Sequence, residues 1–272
     1  MENVITDPTF DFKRTEEYKL SIQISLDGFY FSIIQSDENR LFALDDYPAT
    51  ISSESFLARR FKEWSDNIDY FKQKYAEIRI LYHTEKYTLI PGELYNHKKQ
   101  HEIADLLFKT EEGIVVLDNF IPEMKGNLLL SIPRALSEEF SIKFPGYQLI
   151  HPLAVIIPKI METAGENKNS LMLLFDKTCF SLLLFRKNRL HAVNSFKFLH
   201  PNDVIYYVLS ILKQLGIKSK EITPLVAGKI GKGDKIHTLL KDYFNNITFF
   251  PPQVIFDAEI FKKPLHRFIT LY

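Results

Sequence analysis

Leu26 to Tyr47 reads LDGFYFSIIQSDENRLFALDDY, and Phe175 to Phe196 reads FDKTCFSLLLFRKNRLHAVNSF. Laid together without a gap at an offset of 149, the two 22-residue stretches share seven identities. These match Asp27 with Asp176, Phe31 with Phe180, Ser32 with Ser181, Asn39 with Asn188, Arg40 with Arg189, Leu41 with Leu190 and Ala43 with Ala192. A spacing this long is far beyond a solenoid period, so it implies two copies of a whole domain. Upstream, Ile22, Ile24 and Leu26 alternate with Ser21, Gln23 and Ser25, which is the period of a half-buried strand. The polar runs Ser36-Asp37-Glu38-Asn39 and Arg186-Lys187-Asn188 each interrupt the apolar pattern, so each copy reads as a three-stranded meander. Asparagine tolerates the left-handed backbone that short hairpins require, which explains Asn39 and Asn188 as structural residues.

After each meander the period changes from two to helical. Ser53 to Tyr75 carries Phe56, Leu57, Phe61, Trp64, Ile68 and Phe71 on one face behind serines able to cap the first turn. In the second copy Asn202 or Asp203 is placed to cap a helix bearing Val204, Ile205, Val208, Leu209, Ile211 and Leu212 and ending near Gly216. Glu77 to Tyr82 and Glu221 to Ala227 then read as strands returning to the sheet through a parallel crossover. The first half continues with a helix near Asn96 to Phe108, strands near Gly113 to Leu117 and Leu128 to Ile132, and a helix near Arg134 to Phe140. The second opens with a helix from Pro152 to Thr163 and a loop at Ala164 to Asn169. It closes with an edge strand near Phe249 to Gln253 before a terminal helix. The boundary falls near 150, giving halves at 1–150 and 151–272.

Composition narrows the function. The 34 basic and 34 acidic side chains cancel, which removes a global field that would recruit nucleic acid or an anionic membrane. The single cysteine, Cys179, excludes an internal disulfide and reads as a small buried hydrophobe. No apolar run reaches the length of a membrane span. Met1 to Phe12 lacks a basic region followed by an apolar one, so a cytoplasmic location is expected. His97 and His101 stand four apart on a helix but have no third ligand, so they read as a solvated face. His151 and His191 have no nucleophile and aspartate pattern around them, which leaves serine hydrolase chemistry without support.

Two meanders, each followed by helix and strand alternation, resemble the duplicated ribonuclease H-like architecture of the actin, Hsp70 and sugar-kinase superfamily. The fold class expected is therefore α/β, with two mixed-sheet domains flanked by helices. The motifs behind the resemblance are Leu26-Asp27-Gly28-Phe29, Phe175-Asp176-Lys177-Thr178 and Leu225-Val226-Ala227-Gly228-Lys229-Ile230-Gly231. They stand where that superfamily carries an aspartate at the first hairpin of each half and a glycine turn late in the second. The chain as a whole is similar to an uncharacterised Bacteroidetes protein family with an actin-like ATPase fold, and more distantly to the type IV pilus assembly actin-like proteins.

The resemblance implies ATP and magnesium as ligands, contacted at Asp27, Gly28, Asp176, Thr178, Gly228, Lys229, Gly231, Lys232 and Gly233. In that superfamily the hairpin glycines let amides approach phosphate, and the aspartates hold hydrated metal or the attacking water. This sequence departs from the pattern. Phe29 and Thr178 stand at the expected glycine positions, Ala227 replaces a glycine of the adenosine turn, and Asp27-Gly28 is itself a favoured hairpin turn. The loop Ala227 to Lys235 leads into a helix and carries amides and lysines suited to an anion, yet it is not a Walker A sequence.

An intact duplicated fold with eroded phosphate motifs favours a noncatalytic interaction or scaffold protein. A nucleotide-binding protein with weak or no hydrolysis is the alternative, and a full ATPase or sugar kinase comes third for want of a catalytic base. The expected partner is another protein, which would pair with an exposed sheet edge or sit between the halves. Oligomeric state is left open.

Overall fold

The computed structural model describes residues 4–108, 112–164 and 169–272. Most of the loop expected at Ala164 to Asn169 lies outside the described residues. The chain groups into two units. The first is Met1–Val155 with Gln253–Lys263 and Thr270–Tyr272, and the second is Ile156–Pro252 with Pro264–Ile269.

In the first unit, β2 (Tyr18–Ser25), β3 (Gly28–Gln35) and β4 (Arg40–Pro48) form the expected antiparallel meander. β5 (Glu77–Tyr82) returns parallel to β2, and β9 (Gln148–Ile150) lies parallel to β5. With β1 (Ile5–Thr6) on the outer edge of β4, the sheet order is β1-β4-β3-β2-β5-β9. All of β3 except its last residue is buried, as a strand covered on both faces must be.

Its aromatic face meets α1 (Leu57–Ser65), where Leu57, Phe61 and Trp64 recur at helical spacing. Phe29 packs 5.0 Å from Trp64, Phe31 lies 5.1 Å from Phe71, and Phe61 meets Phe140 edge-on at 4.9 Å. Such ring pairs contribute about 0.5–1.5 kcal/mol each beyond the area they bury. The helix expected over Ser53 to Tyr75 is therefore broken. It begins as a 3-10 turn at Glu54–Phe56, stops at Ser65, and resumes only as a 3-10 turn at Asp69–Lys72 after Ile68 turns extended. The Asp66-Asn67 pair accounts for the stop: the Asn67 side chain donates to the Glu63 carbonyl, and its amide donates to that of Trp64. The serines do not cap the helix; Ser53 and Ser55 hydrogen-bond each other.

Between β5 and β9 the chain builds a separate antiparallel sheet, β6-β8-β7, from β6 (Tyr87–Pro91), β7 (Ile114–Ile121) and β8 (Gly126–Pro133). It is covered by α2 (Gln100–Phe108) over a small core of Ala104, Val116 and Leu129. α3 (Arg134–Lys143) then leads to β9. The two strands expected here thus form their own sheet together with β6.

In the second unit, β10 (Ser170–Phe175), β11 (Cys179–Arg186) and β12 (Arg189–Lys197) repeat the meander. β13 (Pro224–Gly228) and β14 (Thr248–Phe249) add in parallel, giving the order β12-β11-β10-β13-β14. This is the order of the first sheet without β1. α4 (Pro152–Ala164) precedes the meander, and α5 (Pro201–Gln214) and α6 (Lys235–Tyr243) follow it. Leu171, Leu173, Phe175, Phe180, Leu182 and Leu184 pack on Val204, Val208, Leu212 and Leu240. The α5 cap differs from expectation. Pro201 takes the first helical position, and the Asp203 carboxylate reaches back to the amides of Leu199 and His200 at 2.9 and 2.8 Å.

No terminal helix forms after β14. A single 3-10 turn at Leu265–Arg267 interrupts an otherwise irregular tail. In the first unit this tail is held through its backbone. The Leu41 amide donates to the Ile255 carbonyl at 2.8 Å, and Ser32 Oγ donates to that of Leu271 at 2.9 Å. Leu271 and Tyr272 are buried there.

Candidate functional site

The two meanders match, but not in the gapless register that the sequence suggests. Ser25 and Gly28 close the β2–β3 hairpin, so its turn residues are Leu26 and Asp27, not Asp27 and Gly28. In the second unit the Asp176 amide donates to the Cys179 carbonyl at 2.8 Å, which puts Lys177 and Thr178 in the turn. Asp27 therefore corresponds to Thr178, and Asp176 to Ser25.

A second contact agrees: the Asp27 carbonyl accepts from Ala49 at 3.1 Å, and the Thr178 carbonyl accepts from Phe198 at 2.9 Å. Ala49 and Phe198 do stand 149 apart. The two-residue slip is absorbed in the next turn, which has four residues between Gln35 and Arg40 but two between Arg186 and Arg189. Because a strand has a period of two, the slip leaves every side chain on its proper face. Asn39 has φ 50°, and Lys187 and Asn188 have φ 47° and 57°, the left-handed backbone expected of the asparagines.

The repeated aspartate is thus not one structural position used twice. Gly28, with φ 130°, is required by packing, because a Cβ there would stand 2.3 Å from the Tyr47 carbonyl oxygen. Phe29 points into the aromatic core against Trp64, so its ring is a packing element.

In each unit the first hairpin turns beside the carboxyl end of the parallel strand pair, the position at which open α/β sheets bind ligands. The second unit brings several sequence-predicted residues together there. Phe175 pairs with Gly228, and the Lys229 amide donates to the Phe175 carbonyl at 2.7 Å. Asp176 and Thr178 thus adjoin the start of the Gly228–Gly233 loop. Gly228 has φ 82°, and a Cβ on it would lie 2.0 Å from the Phe175 oxygen, so only glycine fits.

The loop amides are largely used by the chain itself. Gly231 N–H donates to the Asp234 carboxylate at 2.6 Å, and Gly233 N–H donates to His237 Nδ1 at 3.2 Å. Ile230 N–H turns back to Gly228 at 2.8 Å, while the Ile230 carbonyl accepts from His266 Nε2 at 2.7 Å. Phe249 packs against both imidazoles, at 5.4 and 4.5 Å. Burial pushes the pKa of both histidines down, which keeps His237 Nδ1 an acceptor. Cys179 is half-buried at the start of β11, more open than its sequence context implies.

The first unit answers with a polar network that sequence reasoning missed. Glu54 accepts from Tyr82 at 3.0 Å, from Thr84 at 3.1 Å and from Lys86 at 3.0 Å. His151 is wholly buried, and its Nδ1 accepts the Leu153 amide at 3.2 Å, which leaves Nε2 to donate to the Thr84 carbonyl at 3.0 Å. Burial, with the nearby His83, pushes its pKa down to about 3. No sequence motif marks this network, because Glu54 and His151 are far along the chain from the Tyr82 to Lys86 segment that they meet. His97 stands in a 3-10 turn ahead of α2, with Nδ1 3.4 Å from Asp118, so it shares no helical face with His101.

Two meander sheets that share a five-strand order, the first with β1 added at its edge, and each with its hairpin at the carboxyl edge, define the actin-like ATPase fold. The chain belongs to the DUF3822 family, described as proteins of unknown function, whose model matches residues 7–247. It is similar to a Bacteroides thetaiotaomicron protein of actin-like ATPase fold and unknown function. The two are 19% identical with a TM-score of 0.78, over 89% of this chain and 94% of that one. It is also similar to a chain of the PilM–PilN type IV pilus biogenesis complex, at 14% identity and TM-score 0.54, over 93% of this chain and 94% of that one. A comparison with curated proteins found no match. No described helix is long and apolar enough to cross a membrane.

Proposed function

We propose that this chain is a noncatalytic actin-like interaction or scaffold protein whose phosphate-binding motifs are degenerate. The observation that carries this reading is the inward use of the glycine loop. The Asp234 carboxylate already sits on the Gly231 amide at 2.6 Å, so an incoming phosphate would meet a negative charge where it needs a donor. The hairpins point the same way. A superfamily nucleotide site uses an equivalent aspartate from each half, whereas here Asp27 lies in its turn and Asp176 precedes its own. These residues do not fit the ATP–magnesium arrangement. The PilM–PilN likeness supports a protein as the partner class.

A second reading, adenine-nucleotide binding with weak or no hydrolysis, is favoured by one arrangement. Asp176, Thr178, Gly228, Lys229, Gly231, Lys232 and Gly233 all belong to the carboxyl edge of β10 and β13 or to the loop that follows it.

Melting temperature with magnesium and ATP, ADP or a nonhydrolysable analogue separates the two readings, with the Asp27→Ala, Asp176→Ala protein as control. The scaffold reading expects no shift at millimolar nucleotide. A rise that the double variant loses would replace it with the nucleotide reading.

A further inference from the structure

The two sheets differ at one edge. In the first unit, β1 pairs antiparallel with the outer edge of β4, with Ile5 opposite Leu44 and Thr6 opposite Ala43. The next amide, that of Asp7, donates to the Phe42 carbonyl at 2.8 Å. The Asp7 carboxylate, 2% exposed, accepts from the Arg40 guanidinium at 2.9 Å. The second unit has no counterpart of β1, since β12 pairs with β11 alone among the described residues. Residues 41–45 are all buried, whereas none of residues 190–194 is.

β12 nevertheless keeps the features that receive β1 in the first unit. Both strands start from an arginine, Arg40 opposite Gln35 and Arg189 opposite Arg186, and both bulge two residues later, at Phe42 and at His191. The Phe198 amide points inward to the Thr178 carbonyl, while the Ser195 amide is taken by the Asn194 side chain at 2.9 Å, so by alternation Val193 faces outward. Asn194 thereby closes the edge beyond Val193. Only a short strand fits, as β1 with its two residues is short. The neighbouring turn sets the charge. Arg186, Lys187 and Arg189 form no ion pair among the described residues, and no acid lies between Lys177 and Asp203. The matching turn of the first unit holds Asp37 and Glu38.

In the first unit, the segment that fills this edge supplies a short strand and then a carboxylate to Arg40. The second unit presents the same edge, with Arg189 exposed at the matching place in a basic turn. A free carboxylate would meet the arginine but leave the strand edge bare. An extended polypeptide meets both, because its own amides and carbonyls continue the sheet. We propose that the outer edge of β12 binds a short extended segment of a partner protein, with an aspartate or glutamate just beyond the strand to pair with Arg189. This deepens the interaction reading above and rests on it.

The probe is the peptide acetyl-Val-Ile-Thr-Asp-Pro-Thr-amide, a copy of residues 4–9, titrated into the full chain by calorimetry. Saturable binding is expected, about tenfold weaker in Arg189→Gln and unchanged in Arg40→Gln. Val193→Pro, which removes an outward amide and leaves the β11 ladder intact, should abolish it. Circular dichroism confirms that each variant is folded. The peptide with asparagine in place of aspartate should bind more weakly and no longer distinguish Arg189→Gln from the parent. Four results would overturn the proposal. They are no saturation up to about 1 mM peptide, equal affinity in Arg189→Gln, a loss in Arg40→Gln instead, and a peptide-free dimer that Val193→Pro dissociates. The third would mean exchange with the chain's own β1, and the fourth would give the edge to a second copy. The nucleotide melt is run beside it. A silent titration with a nucleotide-independent melt removes the edge and leaves the interaction reading, whereas a nucleotide-dependent melt removes that reading itself.

Discussion

Gly228 shows how a residue that looks like ligand chemistry can be demanded by packing alone. Its φ of 82° and the 2.0 Å approach that a Cβ would make to the Phe175 oxygen come from the strand end itself. Gly228→Ala is expected to destabilise the protein by about 2 kcal/mol or more, measured by denaturant unfolding with and without nucleotide. A loss of nucleotide response without loss of stability would be the opposite result. In the sequence this glycine was legible as special, but its reason was not, since the clash is with a carbonyl more than fifty residues earlier. Asn39 and Asn188 are the reverse case. Their left-handed backbone is a local preference of asparagine in a short turn, and sequence alone placed both correctly.

At the level of elements, the turn between β11 and β12 has two consecutive left-handed residues, Lys187 and Asn188, which is the type I′ geometry. Lysine is a poor choice for the first position. Replacing Lys187-Asn188 with Asn-Gly is expected to raise the melting temperature by about 1–3 °C. The β3–β4 turn, with four residues, should not gain from the same pair. Helix α1 makes a different point. Its apolar period runs on to Phe71, so a continuous helix over Ser53 to Tyr75 was the natural expectation. The local bonds of Asn67 stop it at Ser65, and Ile68 and Phe71 still reach the core from a broken backbone. Periodicity reports which side chains are buried, and it says less about the backbone that carries them. Phe61→Ala should cost about 3–5 kcal/mol, since it removes a fully buried ring that touches Phe29, Trp64 and Phe140.

Across the whole molecule, burial lowers the pKa of His151, His237 and His266 alike. A folded-state pKa below the unfolded one means that the unfolded chain binds more protons as pH falls. The stability these groups protect is therefore fully present above about 6.5 and is lost on acidification. For His151 the window runs from 6.5 down to about 3. One proton of difference corresponds to about 1.4 kcal/mol per pH unit within it. Urea unfolding across pH 4–7.5 should show this slope. His151→Gln should be less stable at pH 7.5, having lost its paired donor and acceptor, but should show a flatter acid limb. An unchanged limb would remove His151 from the account.

The duplication, the two meanders, the helical crossovers and the parallel return strands could all be read from the chain before any coordinates. They follow from local periodicity and turn chemistry, which are carried within a few residues. The remainder required the folded molecule. Folding placed Asp27 and Asp176 at different positions of their hairpins, because a four-residue turn in one half and a two-residue turn in the other cancel in the sequence count. It turned the glycine loop onto Asp234 and His237, and it stacked Tyr47 and Trp64 on Phe29. Register and side-chain company depend on contacts between residues far apart in the chain, and no local pattern records which of them will meet.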